Sequence, residues 1–232
     1  MDNQPVVGSK KLRVAAFLAL TGGFLDAYTF ITRGGVFANA QTGNIVMLGI
    51  AVIGGKGYDN TKYILSILAF FLGILCVLLI EKAMLDRHIK FVHRATILIE
   101  MAAVTVVSFL PQTEYYNLLS NVLISFIAAM QMEGFKSFRG EPIATTMSTG
   151  NLRKYTENIF MWITKKDAKY IKTANSYLLV IVTFVAGAML GGVCSMRWAE
   201  RAVLVSNICL ACAYIAITIA ITQSEKSEQS KN

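Results

Sequence analysis

Long apolar runs alternate with short charged segments along the whole chain. Six runs, at about 12–32, 63–80, 95–110, 116–135, 173–193 and 202–222, read as helices crossing roughly 30 Å of hydrocarbon. Two more apolar helices, at about 45–53 and 152–163, are too short to cross. Each follows the same tripeptide: Thr42-Gly43-Asn44 before the first, Thr149-Gly150-Asn151 before the second. The pattern predicts an all-α membrane protein of six transmembrane helices plus two short re-entrant half-helices. All 232 residues form one integral membrane domain, with 1–8 and 223–232 reading as disordered tails.

Composition agrees. Hydrophobic residues make up 55% and charged residues only 16%, more apolar surface than a soluble core of this length uses. The formal charge of +8 is read as basic loops held on one side of a bilayer rather than as a nucleic-acid surface. If the six long runs cross and the two short ones enter and return, one side carries seventeen of the 22 basic residues. The other side carries five: Arg33, Lys56, Lys62, Arg197 and Arg201. Full crossing by the short helices would give 11 to 9 and strand Arg153 and Lys154 at depth. The positive-inside rule therefore selects the re-entrant arrangement. Both termini are then cytoplasmic, and anionic headgroups face basic loops such as 82–94, where His88 and His93 also fall.

The order span, tripeptide, span, span occurs twice, 107 positions apart. That offset pairs Asp26 with Glu133, Lys62-Tyr63-Ile64 with Lys169-Tyr170-Ile171, and Arg94-Ala95 with Arg201-Ala202. Identity at this offset is near chance, so the order of elements carries the inference. Three crossings per half make the halves, about 10–110 and 116–222, an inverted repeat (3+3). Many transporters share that plan, with a site near the midplane.

Non-helical backbone at membrane depth persists only where its peptide groups are paired. Asn39, Gln41, Thr42 and Asn44 can do this in one half, and Thr145, Thr146, Ser148, Thr149 and Asn151 in the other. Gly43 and Gly150 permit a positive φ or a close approach, and Thr or Asn before an apolar run makes an N-cap. Two helix N-termini meeting near the centre favour an anion or an electron-rich polar group. The blander alternative is that both motifs merely cap structural helices.

Asp26 lies about 14 residues into its helix, roughly 21 Å along it. Ionisable residues within spans mark function, so Asp26 and Glu133 are expected to exchange protons or hold a cation, or to accept hydrogen bonds from the loops. Glu100, near the start of its span, is expected to snorkel or pair with Arg94. Gly187-Ala-Met-Leu-Gly191 allows close helix packing. Cys209-Leu-Ala-Cys212 lies within a span and has no second ligand pair beside it. No Walker loop, zinc spacing, nucleophile elbow or dinucleotide fingerprint is present, so the expectation is no enzyme, no cofactor and no metal.

At "GGFLDAYTFITRGGVFANAQTGNIVMLG" the chain resembles the YoaK-like family of bacterial membrane proteins, a domain-of-unknown-function family. Gly23, Asp26, Ala27, Val36, Phe37, Asn39, Thr42, Gly43 and Asn44 carry the resemblance. In the second half Ala129-Met130-Gln131 stands where the family often has Gly-x-Gln, so Gln131, Thr149 and Gly150 match there. The resemblance implies a multi-pass bacterial inner-membrane protein and no particular substrate.

The resulting expectation is a small secondary transporter of a small polar or anionic solute, proton-coupled, and compatible with a homo-oligomer. Its lining residues would be Asn39, Gln41, Thr42, Gly43, Asn44, Gln131, Ser148, Thr149, Gly150 and Asn151, and its coupling residues Asp26 and Glu133. The alternatives are a channel-like pore built on two head-on half-helices and a non-transport membrane scaffold.

Overall fold

The computed structural model describes residues 8–54, 60–83, 89–136 and 142–229. Among these the chain is entirely helical: α1 (Gly8–Thr32), α2 (Gln41–Ile53), α3 (Thr61–Ala83), α4 (Ile89–Ser108), α5 (Glu114–Gly134), α6 (Ser148–Lys165), α7 (Ala168–Trp198) and α8 (Ser206–Gln229). A 3-10 segment, Ala199–Val205, joins the last two. Three stretches are long and apolar enough to cross a membrane: Leu12–Thr32, Thr61–Ala83 and Ala168–Gln223, the last containing both α7 and α8. Helices suit such sequences because every interior peptide group is paired within its own segment.

Several boundaries differ from expectation. The TGN motifs are the first turns of α2 and α6, not loops ahead of them. Ala40 and Met147 are the N-caps, and neither makes a side-chain capping bond, so Thr and Asn do not cap here. α6 has 18 residues and a charged face that includes Arg153, Lys154 and Glu157, longer and more polar than the short apolar helix expected. α8 continues to Gln229, so 223–229 is helical rather than a tail. Residues 1–7 and 230–232, with Lys56, Arg87, His88 and Arg139, lie outside the described residues.

The helix termini gather at two ends of the bundle. At one end the last turn of α1 meets the end of α4, the starts of α3 and α5, and the 3-10 segment. The contacts there are Arg33 to Pro111 and Asn117, Lys62 to Gly34, and Gln112 to Glu200. At the other end Lys136, just past α5, pairs with Glu81 of α3 and Glu133 of α5 at 3.2 and 2.8 Å. α1 leaves the Arg33 end through Gly34 and Gly35, whose φ values of 85° and 78° suit only glycine.

α1 makes its broadest contact with α7, and α3 with α5. Both depend on glycine. A Cβ at Gly187 would collide with the Leu20 carbonyl, one at Gly191 with the Phe24 carbonyl, and one at Gly23 with the Phe184 carbonyl. Gly73 of α3 lies in the same way against the Phe126 carbonyl of α5. The Gly187–Gly191 stripe thus packs within the molecule, backbone on backbone. α4 packs on α8 and α5, α8 on α1, α6 on α7, and α2 on α3. The helix starts keep the sequence offset: Gln41 and Ser148, and Thr61 and Ala168, each stand 107 positions apart.

Gly187→Ala is expected to lower stability by about 1–3 kcal/mol, because the methyl meets rigid backbone. Gly49→Ala, with open space around it in α2, should be neutral or stabilising by about 0.5–1 kcal/mol. Thermal unfolding of the two variants in one detergent checks both.

Candidate functional site

Two non-helical stretches, ahead of α2 and ahead of α6, converge on one residue of α1. Asn39 Nδ2 donates to the Gly22 carbonyl at 2.9 Å. From the other side, a Cβ placed on Gly22 would lie 3.3 Å from the Thr145 carbonyl oxygen and 3.5 Å from Thr146 Cγ2. Gly22 is eleven residues before Arg33, about 16 Å down α1 from that end of the bundle. Glycine there leaves room for the stretch ahead of α6.

Each stretch is held by the asparagine of its TGN motif. Asn44 Oδ1 accepts from the Phe37 N–H at 2.9 Å, and Asn44 Nδ2 donates to the Phe37 carbonyl at 2.7 Å. Asn151 repeats this on Ala144, accepting at 3.3 Å and donating at 2.6 Å. In both, the amide acts as a substitute peptide and pairs both backbone groups of the residue seven positions earlier. Both asparagines are buried, and through these bonds they hold the two stretches in place.

The other candidates divide. Gln41 bonds the Ala38 carbonyl at 3.0 Å and Asn44 at 2.9 Å. Gly43 has an ordinary negative φ; its smallness matters because a Cβ would sit 2.9 Å from the Phe37 ring. Gly150 also lacks a positive φ and has open space around it. Thr42, Thr149 and Gly150 are exposed, and Ser148 is half-buried, so the structure leaves these outside the convergence.

Asp26 is buried. Its Oδ1 accepts from the Asn39 N–H at 2.6 Å and lies 3.4 Å from Asn39 Nδ2, and the amides of Ala38 and Ala40 also point at the carboxylate. It therefore occupies the anion position at the N-terminus of α2, so an acid of α1 stands there. Glu133 is elsewhere, in the exposed Lys136 cluster. The Glu133 hydrogen bond is the main cause holding the Lys136 amine above its ordinary range, against the opposing effect of burial.

Two buried charges escaped the sequence reading. Glu100 is only 1% exposed and, among the described residues, pairs with no arginine; it faces Gln131 of α5. The Gln131 amide lies between Glu100 and Thr145. With its nitrogen toward Glu100 it donates to Oε1 and Oε2 at 2.9 and 3.0 Å, and its oxygen accepts from Thr145 Oγ1 at 3.0 Å. With its nitrogen toward Thr145 it donates to Oγ1 at 3.0 Å and to the Leu18 carbonyl of α1 at 3.4 Å. The sequence carries the signal, an acid inside a span; α4 begins at Ile89 rather than at 95, which carries Glu100 to mid-helix.

Arg33, expected in a loop, is fully buried. Nε donates to Tyr28 Oη at 2.9 Å, Nη1 to the Pro111 carbonyl at 3.2 Å and to Asn117 Oδ1 at 3.3 Å, and Nη2 to the Val107 and Leu110 carbonyls at 2.9 and 3.0 Å. All five N–H groups are used, and three of the acceptors are carbonyls at and beyond the C-terminus of α4, where a cation is favoured. Above it a cleft of about 670 Å³ opens between α1, α3 and α5, lined by Lys62, Glu114 and Asn121 among others.

The family model described as a protein of unknown function (DUF1275) matches residues 14–216. The transmembrane protein YoaK of Bacillus subtilis is 24% identical over 183 residues, which is 75% of this chain and 80% of that protein. No solved structure matches.

Asn44→Leu and Asn151→Leu are each expected to cost about 2 kcal/mol or more, since each leaves a peptide group of Phe37 or Ala144 unpaired away from water. Thr42→Ala and Thr149→Ala, at exposed positions, should stay within about 0.5 kcal/mol of wild type. Denaturation midpoints in detergent distinguish the two pairs.

Proposed function

Since the chain belongs to the DUF1275 family and its Bacillus relative is a transmembrane protein, we propose that it is a small secondary transporter of the bacterial inner membrane. In this reading α1, α3, α4, α5, α7 and α8 cross the membrane, α2 and α6 are re-entrant, and the halves form an inverted repeat. The termini are cytoplasmic, placing the Glu81–Lys136 end inside and the Arg33 end outside. The solute is small and polar or anionic.

The observation that carries the reading is the convergence at Gly22. Asn39 and Thr146, 107 positions apart, each reach this level, and each keeps a buried side-chain oxygen without a partner: Asn39 Oδ1 and Thr146 Oγ1. The equivalent packing of α1 on α7 and of α5 on α3 supports the repeat. Unpartnered polar atoms at matched positions of two broken segments are what a midplane solute site offers.

The test uses a variant with the four free cysteines, Cys76, Cys194, Cys209 and Cys212, replaced. Asn39→Cys and Thr146→Cys are then treated with a membrane-impermeant thiol reagent in right-side-out and in inverted vesicles. Each position is expected to react from both compartments, as alternating access requires. Reaction of both positions from one compartment only, or of neither until the protein is denatured, would overturn the reading.

A further inference from the structure

We infer that Glu100, Gln131 and Thr145 form a proton-binding site that sets the hydrogen-bonding state of the loop tip ahead of α6. The inference rests on the transport reading and replaces Glu133 with Glu100 as the coupling acid of the second half.

The geometry is unusual in that Gln131 fits its surroundings in two ways. A carboxylate accepts only, so with Glu100 ionised the amide nitrogen must face it, and the amide oxygen takes the Thr145 hydroxyl hydrogen. Add one proton to a Glu100 oxygen and that oxygen becomes a donor. The amide turns over, its oxygen accepts the new O–H, and its nitrogen donates to Thr145 Oγ1 at 3.0 Å and toward the Leu18 carbonyl at 3.4 Å. The two states share one set of heavy-atom positions, because the turn exchanges the amide oxygen and nitrogen. Every proton is accounted for: one is bound, the hydrogen bonds on both sides of the amide reverse, and the Thr145 hydroxyl hydrogen is released.

That released hydrogen gives the switch its direction. The Thr145 hydroxyl sits one residue from the tip, where the Thr145 carbonyl and the Thr146 methyl lie against Gly22, whose own carbonyl takes Asn39 of the other tip. With Glu100 ionised, the Thr145 hydroxyl is committed to Gln131. With Glu100 protonated, it is free to donate toward an acceptor on a solute at the tip. Proton and acceptor-bearing solute thus favour the same state, which is the linkage that symport of an anion requires. The protonated state also ties α5 to α1 through Leu18.

The surroundings isolate this group. The polar side chain meeting it from α5 is Gln131, and the α5 charges Glu133 and Lys136, with Glu81 of α3, lie at one end of the bundle. His93 and Arg94 lie toward that same end of α4. Glu200 and Arg201 of the 3-10 segment lie at the opposite end. The Asn207–Thr105 bond sets α8 so that Cys212 comes to the depth of Glu100. Arg33, by contrast, has all its donors occupied and nothing left to exchange.

The experiment reads proton binding and loop response separately, in the purified full-length, cysteine-replaced protein in nanodiscs. Infrared difference spectra on acidification report the C=O stretch of a protonated carboxylic acid. Thiol labelling of Thr146→Cys reports the loop. We expect a buried-acid band that disappears in Glu100→Gln, and a labelling rate, taken at each pH relative to that of a free thiol because only the thiolate reacts, that changes about tenfold with pH in the parent and stays flat in Glu100→Gln. In Gln131→Leu the acid band should persist while the labelling rate loses its pH dependence, so the result does not hang on one variant. A band unaffected by Glu100→Gln, or pH-dependent labelling that survives in both variants, would overturn the inference. Thermal unfolding confirms that the variants compared are folded. If the band and the loop response behave as expected but the tips label from one compartment only, the switch stands and the transport reading fails.

Discussion

Unpaired peptide groups away from water are the constraint around which this structure is built. Such a group costs several kcal/mol in hydrocarbon, so a break in a buried helix must be paired atom by atom. Asn44 and Asn151 pair both backbone groups of Phe37 and Ala144, Asp26 accepts the Asn39 amide, and Arg33 covers the carbonyls at the end of α4. Each is a polar side chain spent on backbone. The fold can therefore carry two irregular stretches to the same depth.

The consecutive glycines of α1 divide two tasks. Gly23 lets the α7 backbone lie against α1, and Gly22 leaves space for the tip ahead of α6 while its carbonyl takes Asn39. Adjacent residues on a helix point about 100° apart, so one dipeptide serves two contacts without conflict. The same close packing fixes where the tips stop, because α7 holds α1 rigid behind them.

Buried charge falls into two kinds. Arg33 is saturated, with five donors on five acceptors, and acts as a fixed strut at one end of the bundle. Asp26 sits nearly as firmly on the amides before α2. Glu100 differs: it faces the Gln131 amide, which suits the carboxylate in one orientation and, in the switch we infer, the protonated acid in the other. Saturation makes a support, and two equivalent arrangements make a switch.

The sequence by itself determined that the chain is an all-helical membrane protein, because long apolar runs have one stable form in lipid and hydropathy is additive along the chain. It also marked the two TGN segments, Asp26 and the Gly187–Gly191 stripe, each through a residue type out of place in its run. Tertiary structure alone decided their roles. The TGN asparagines pair backbone within the first helical turns, Asp26 fills an anion position, Thr149 and Gly150 face outward, and Glu100 and Arg33 prove to be interior. Hydropathy measures what a residue costs to bury. It says nothing of which partner lies across the helix interface, and for a polar group in hydrocarbon that partner sets both the cost and the use.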